Sequence, residues 1–215
     1  MANPDSPRFD AVVFDLLTAL LDSWTLWNDV AGSREAGLHW RRRYLEITYG
    51  CGGYRPYDDL VAEAARDTGL SPNAAYELHH RWHDLKPWPE TPRILEKLGA
   101  QVPLGIATNC SQEKGLSAAS LTGKTFAAVI TAEKAGFYKP RAEVYRAALD
   151  AMGTDPARTL FVAGSAADVP GAKNAGMPVY WHNRIGLPCP EGGVPDFLES
   201  TLDRLPGIVL GDPET

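Results

Sequence analysis

The 215-residue sequence holds only three cysteines, Cys51, Cys110 and Cys189, with no CxxC pair among them. An odd, widely spaced set excludes a disulfide framework, and reduced thiols in a cytoplasmic protein are the expectation. No apolar run approaches the ~20 residues needed to cross a bilayer. The opening "MANPDSPRF" has no basic region followed by an apolar stretch, so no signal peptide is expected. Basic charge is scarce as well: the net charge is −6, and the longest basic run is Arg41-Arg42-Arg43. That balance argues against nucleic acid or an anionic membrane as a general partner. Internal repeats and low-complexity segments are also missing.

What remains is an ordinary core-forming composition, 44% hydrophobic and 22% charged. The length suits one α/β domain or a core domain with a smaller insertion. Residues 10–15 read as a short buried strand, in which the apolar run "AVVF" (11–14) leads directly into Asp15. A carboxylate there must be hydrogen-bonded, paired or catalytic, because an uncompensated buried charge is costly. From residue 23 to about 87, apolar residues recur at three-to-four spacing. Helices are predicted in "SWTLWNDVAGS", "EAGLHWRRRYLEITYG", "YDDLVAEAARDTG" and "SPNAAYELHHRWHDL", the last with Ser71 as N-cap and Pro72 in its first turn. The prolines of "KPWPETP" close this block.

From residue 91 helices and strands alternate. "TPRILEKLGA", "SQEKGLSAASLTG", "PRAEVYRAALDAMG" and "DVPGAKNAG" read as helices, and "VPLGIATN", "FAAVIT", "TLFVAG" and "PVYWH" as strands. The alternation predicts a Rossmann-like parallel sheet covered on both faces. The first strand joins that sheet. Residues 1–22 and 88–215 are therefore expected to form the core, and residues 23–87 a helical cap inserted into it. Such a sheet binds its ligand beyond the carboxyl ends of the strands. Asp15, Thr108-Asn109 and Gly164-Ser165 all fall there.

Taken singly, these residues have plain structural readings: Thr108-Asn109 as a helix cap, Lys139 as a solvated lysine, Asp168 as another cap. Their order is more specific. An acid follows the first strand, Thr-Asn follows the second, Lys139-Pro140 precedes a later helix, and Asp168 comes shortly after the fourth strand. This arrangement resembles the haloacid dehalogenase superfamily over nearly the whole chain. "YKPRAEVY", "WRRRYLEIT" and "YWHNR" resemble its 2-haloacid dehalogenase branch.

The resemblance implies a hydrolase with Asp15 as nucleophile, forming an ester that water then cleaves. It implies Lys139 as the cation that keeps Asp15 ionised, and Asp168 to orient Lys139 or activate the water. Ser165 stands where the family has an Asn that positions this water. Arg41 would bind the leaving halide or the substrate carboxylate, Thr108 and Asn109 the substrate carboxylate, and Tyr145 would hydrogen-bond near the site. The implied substrate is a small carboxylic acid, 2-haloacids leading. A strained or activated non-halogenated acid, or anion binding without turnover, is the alternative. A homodimer is implied as well.

No cofactor or metal is expected. The phosphatase branch needs an acid where Leu17 stands and a Mg²⁺-binding acid where Gly164 stands, and neither side chain offers the oxygen that Mg²⁺ requires. Thr18-Ala19 replaces the usual Gly-Thr, so the hydroxyl expected on the nucleophile is lost unless Thr18 supplies it. "LHHRWH" puts His79 and His83 at helical spacing, read here as solvated rather than metal-binding. Trp24, Trp27 and Trp40 either line a pocket or pack the cap on the core.

Overall fold

The computed structural model describes residues 7–189 and 192–211. Most of the N-terminal stretch read for a leader lies outside them. Strand β1 (Ala11–Phe14) is completely buried, as its unbroken apolar run requires. β2 (Leu104–Thr108), β3 (Ala128–Thr131), β4 (Thr159–Ala163), β5 (Val179–His182) and β6 (Phe197–Glu199) complete one parallel sheet in the order β3-β2-β1-β4-β5-β6. This is the doubly wound order, and it places the end of β1 at the point where the connections reverse direction. Asp15 is the next residue.

Side chains alternate between two apolar layers. Val12 and Phe14 pack into one together with Leu104, Ile106, Leu160 and Val162, while Val13, Ala107, Phe161 and Ala163 pack into the other. Helices α5 (Thr91–Gly99) and α6 (Gln112–Ser120), with α10 (Leu205–Leu210), contribute to the first layer; α8 (Ala142–Met152) and α9 (Asp168–Asn174) contribute to the second. A four-residue helix, α7 (Ala132–Ala135), follows β3.

Between β1 and β2 lie α1 (Ser23–Ala31), α2 (Arg34–Gly50), α3 (Tyr57–Asp67) and α4 (Ala74–His80), then a 3₁₀ turn at Trp82–Asp84. Asp22 and Ser33 cap α1 and α2 by accepting the N–H of Thr25 and Ala36. Gly37 lets α2 lie against α1, because a Cβ there would collide with the Asn28 backbone. One turn further on, the same face of α2 carries Arg41. The insertion is fastened to the rest of the chain by hydrogen bonds from Tyr44 to Asn109 O (3.0 Å), Trp82 to Lys114 O (3.1 Å) and Tyr138 to Arg55 O (2.8 Å).

Three local expectations are corrected. α4 starts at Ala74 rather than at Ser71-Pro72, because the Ser71 hydroxyl accepts the Asn73 N–H in a turn before the helix. α4 also ends at His80, so His79 and His83 do not share a helical face. His79 instead lies 2.9 Å from the Lys114 ammonium. β6, α7 and α10 were not anticipated. Among the described residues, no helix is long and apolar enough to cross a membrane.

Candidate active site

The five residues after Asp15, Leu16–Leu20, form a π-helical turn capped by Asp15 itself. Asp15 Oδ2 accepts the Thr18 hydroxyl (2.6 Å), the Thr18 N–H (2.9 Å) and the Ala19 N–H (3.2 Å). The turn is braced from behind. Trp88 Nε1 donates to Thr18 O, the Thr91 hydroxyl to Leu20 O, and His182 Nδ1 to Ala19 O. Burial depresses the His182 pKa, which favours the neutral ring donating through Nδ1. Arg184 of "YWHNR" serves the same region structurally: it pairs with Glu90 through both of that carboxylate's oxygens and stacks on Trp88.

Lys139 supplies the cation that Asp15 lacks in local sequence. Its Nζ, 2% exposed, donates to Asp15 Oδ1 at 2.8 Å and to Asp168 Oδ2 at 3.0 Å. Tyr145 donates to the other Asp168 oxygen at 3.1 Å. Asn109 holds Lys139 in place: its side chain donates to Lys139 O (3.0 Å) and accepts the Lys139 N–H (2.7 Å). That side chain is therefore occupied by Lys139.

Thr108 is a correction. It continues the Leu104–Ile106 side of β2, its hydroxyl faces Cys110 Sγ at 3.8 Å, and it does not line the cavity beside Asp15. Strand alternation turns it away as it turns Asn109 inward.

The two carboxylates on Lys139 differ in environment. Burial would raise Asp15, but the Lys139 charge and the hydrogen bonds from Lys139 and Thr18 outweigh it, leaving its pKa below the ordinary value. Asp168 has fewer donors. Burial pushes it up to about 6 against the pull of Lys139, and the Asp15 charge adds to the rise. Between roughly pH 4 and 6 the folded protein thus holds a proton on Asp168 that the unfolded chain has lost. Stability is expected to fall by about 3 kcal/mol as pH rises through that window. Asp15 acts oppositely: its contribution is present above pH 4 and lost as pH falls through its lowered pKa. Urea melts are expected to show the wild type more stable at pH 5 than at pH 7.5, and Asp168→Asn without that difference.

Arg41 reaches the same cavity from α2. It is buried, donates to the Ser23 hydroxyl at 2.9 Å and lies over Trp24, with 4.2 Å to the ring centroid. No carboxylate pairs with it among the described residues, so its charge stays available to an anion. Two further donors in the cavity wall, Trp27 Nε1 and the Tyr57 hydroxyl, are buried without a protein partner among the described residues. Ser165 and Tyr49 also line the cavity, which measures about 30 Å³.

The donor set does not suit Mg²⁺. The Leu17 side chain brings no oxygen to the cavity. A Cβ at Gly164 would strike the Thr18 hydroxyl and the Ala19 N–H, so no acid fits there. The two remaining carboxylates already share an ammonium. The same contact links Gly164 to Thr18, which stands where the family has Gly. Thr18 reaches Asp15 because residue 164 has no side chain. Thr18→Val is expected to lower kcat by roughly 10- to 100-fold, with Thr18→Ser restoring most of it. Gly164→Ala is expected to destabilise the fold by about 1–3 kcal/mol in denaturant titration, because the turn backbone must move.

A doubly wound parallel sheet with a helical insertion and a lysine-clamped carboxylate after its first strand defines a Rossmann-like hydrolase. The chain belongs to the haloacid dehalogenase-like hydrolases: the model of that family matches residues 12–182. It is 31% identical to (S)-2-haloacid dehalogenase H-109 of Pseudomonas putida, over 91% of this chain and 92% of that protein. It is 27% identical to haloacetate dehalogenase H-2 of Moraxella sp. (strain B), over 94% and 98% of the two chains. The solved L-2-haloacid dehalogenase of Xanthobacter autotrophicus superposes with a TM-score of 0.80 at 25% identity, over 92% and 97% of the chains.

Proposed function

We propose that the protein is a metal-independent hydrolase that displaces halide from a 2-haloacid, with Asp15 as nucleophile and residues 23–87 acting as a cap over the site. The observation that carries this reading is the division of labour between the two Asp15 oxygens. Oδ2 accepts three donors from the π-helical turn, whereas Oδ1, among the described residues, accepts only Lys139 and keeps a lone pair for attack. Oδ1 forms a bond to C2 of the substrate as the C–halogen bond breaks, and the halide departs with the bonding pair. Arg41, with Tyr57 and Trp27 beside it, offers donors to the departing anion or to the substrate carboxylate.

In the resulting ester, Oδ2 is the carbonyl oxygen. Its three donors then form an oxyanion hole for attack by water on Asp15 Cγ. Asp168, with a pKa of about 6, suits the role of base for that water near neutral pH, and Ser165 stands in the adjacent wall to hold it. The C–O bond that breaks leaves the former Oδ1 on the product, where Lys139 supplies its proton. Lys139 then recovers one from Asp168 across 3.0 Å. Asp15 regains a second oxygen from water and releases a proton. The net reaction converts the haloacid and water into a 2-hydroxy acid, halide and a proton. A homodimer and a cytoplasmic setting complete the reading.

The test is halide release from 2-chloro-, 2-bromo- and 2-fluoro-acids with and without EDTA. Release that EDTA leaves unchanged is expected. A folded protein that releases halide from none of them would point instead to an anion-binding role.

A further inference from the structure

We propose that the substrate carries an apolar tail on C2, seated in a second cavity that opens off the reacting chamber. The inference rests on the reading of Asp15 given above and extends it to the substrate's other end. The chamber beside Asp15, about 30 Å³, has room for the reacting atoms and little else. Its core wall is closed: Asp15, Lys139 and Asp168 are at most 5% exposed. A C2 substituent must leave towards the insertion.

A larger cavity of about 400 Å³ lies there, and it shares Arg41, Leu45, Tyr49 and Ser165 with the chamber. Its size is that of a small-molecule site. Away from the shared wall it is lined by apolar groups, including Trp24, Leu38, Ala166, Leu187 and Pro188, with Arg42 as the charged side chain, and no acidic side chain lines it among the described residues. Tyr49, at the junction, is 42% exposed despite its aromatic ring. The combination of a buried guanidinium at the neck and an apolar body beyond it fits an amphiphilic carboxylate. Its charged head would face Arg41 and Lys139, and its alkyl or aryl tail would cover Trp24, Leu38 and Tyr49. The substrate class is thus a medium-chain or aryl-bearing 2-haloacid rather than a haloacetate.

The experiment is a chain-length series from 2-bromoacetate to 2-bromooctanoate. kcat/KM is expected to rise roughly two- to fourfold per methylene over the first few carbons, and Leu38→Asp is expected to flatten that rise. In parallel, calorimetry measures acetate and octanoate binding to the Asp15→Asn protein, a readout that needs no turnover. Octanoate is expected to bind at least tenfold more tightly. An active enzyme whose kcat/KM is level or falls with chain length, together with equal binding of the two acids, would overturn the tail site and leave the Asp15 chemistry standing. Absence of turnover with every acid would overturn that chemistry instead, and the binding comparison would then decide the tail site alone.

Discussion

Replacing Asp15 by Asn is expected to lower halide release by on the order of 10⁴-fold or more. An amide has no anionic oxygen to attack C2. The local geometry deepens the loss. Asn Oδ1 can take over the Thr18 and Ala19 bonds made by Oδ2, which directs the amide NH₂ at the Lys139 ammonium where Oδ1 now accepts at 2.8 Å. Two donors would then face each other. The variant is expected to fold, because Lys139 keeps Asp168 as a counter-charge at 3.0 Å. Residual halide release close to the wild-type rate from the purified variant would remove Asp15 from the chemistry.

The second large effect belongs to Lys139. In Lys139→Met, Asp15 and Asp168 are left buried and close together with no cation between them. Breaking a buried ion pair by removing one partner costs on the order of 3–5 kcal/mol, and here two anions lose the same partner. One of them must take up a proton, so its folded-state pKa rises above its unfolded value. Such a group stabilises the fold only while protonated. The deficit at pH 7.5 is therefore expected to shrink as pH is lowered towards 5, the same direction as in the wild type but steeper. Turnover is expected to fall by about 10³-fold or more, because the nucleophile loses the cation that aims its free oxygen and the departing alkoxide loses its proton donor. Urea melts at the two pH values check the first part. A pH-independent stability loss would mean that the carboxylates have found other partners.

The sheet and the Asp15–Lys139–Asp168–Tyr145 cluster were legible in the sequence because Asp15 follows β1, Asp168 opens α9, and Lys139 and Tyr145 lie just before and in the first turn of α8, all on the side where a doubly wound sheet converges its loops. Thr108 was misjudged for a local reason. Adjacent residues leaving a strand point to opposite faces, and motif order alone does not say which of Thr108 and Asn109 turns inward. Asn109 does, and its side chain serves Lys139 rather than the substrate. The insertion was less legible. Arg41, Leu45 and Tyr49 recur every four residues on α2, a spacing that was open to reading as one face. Tyr57 comes from a different helix, and no pattern within α2 points to it. β6 escaped because three residues with Leu198 exposed give no apolar signal.

Thr18 and Gly164 carry the clearest lesson. Read along the chain, they are unrelated: Thr18 departs from the family's Gly, and Gly164 marks only the absence of an acid that phosphate chemistry would need. Folded, they meet, and the missing side chain of one makes room for the hydroxyl of the other. The nucleophile keeps its donor, one residue earlier in the turn.

The central claim is that Asp15 becomes esterified and that water cleaves the ester at Cγ. A single turnover in H₂¹⁸O with enzyme in excess over 2-bromopropionate, followed by mass spectrometry of the product and of the peptide containing Asp15, tests it most directly. An unlabelled 2-hydroxy acid and one ¹⁸O in the Asp15 carboxylate are expected. Label in the product with none in that peptide would mean that water attacks the substrate directly, and would contradict that claim.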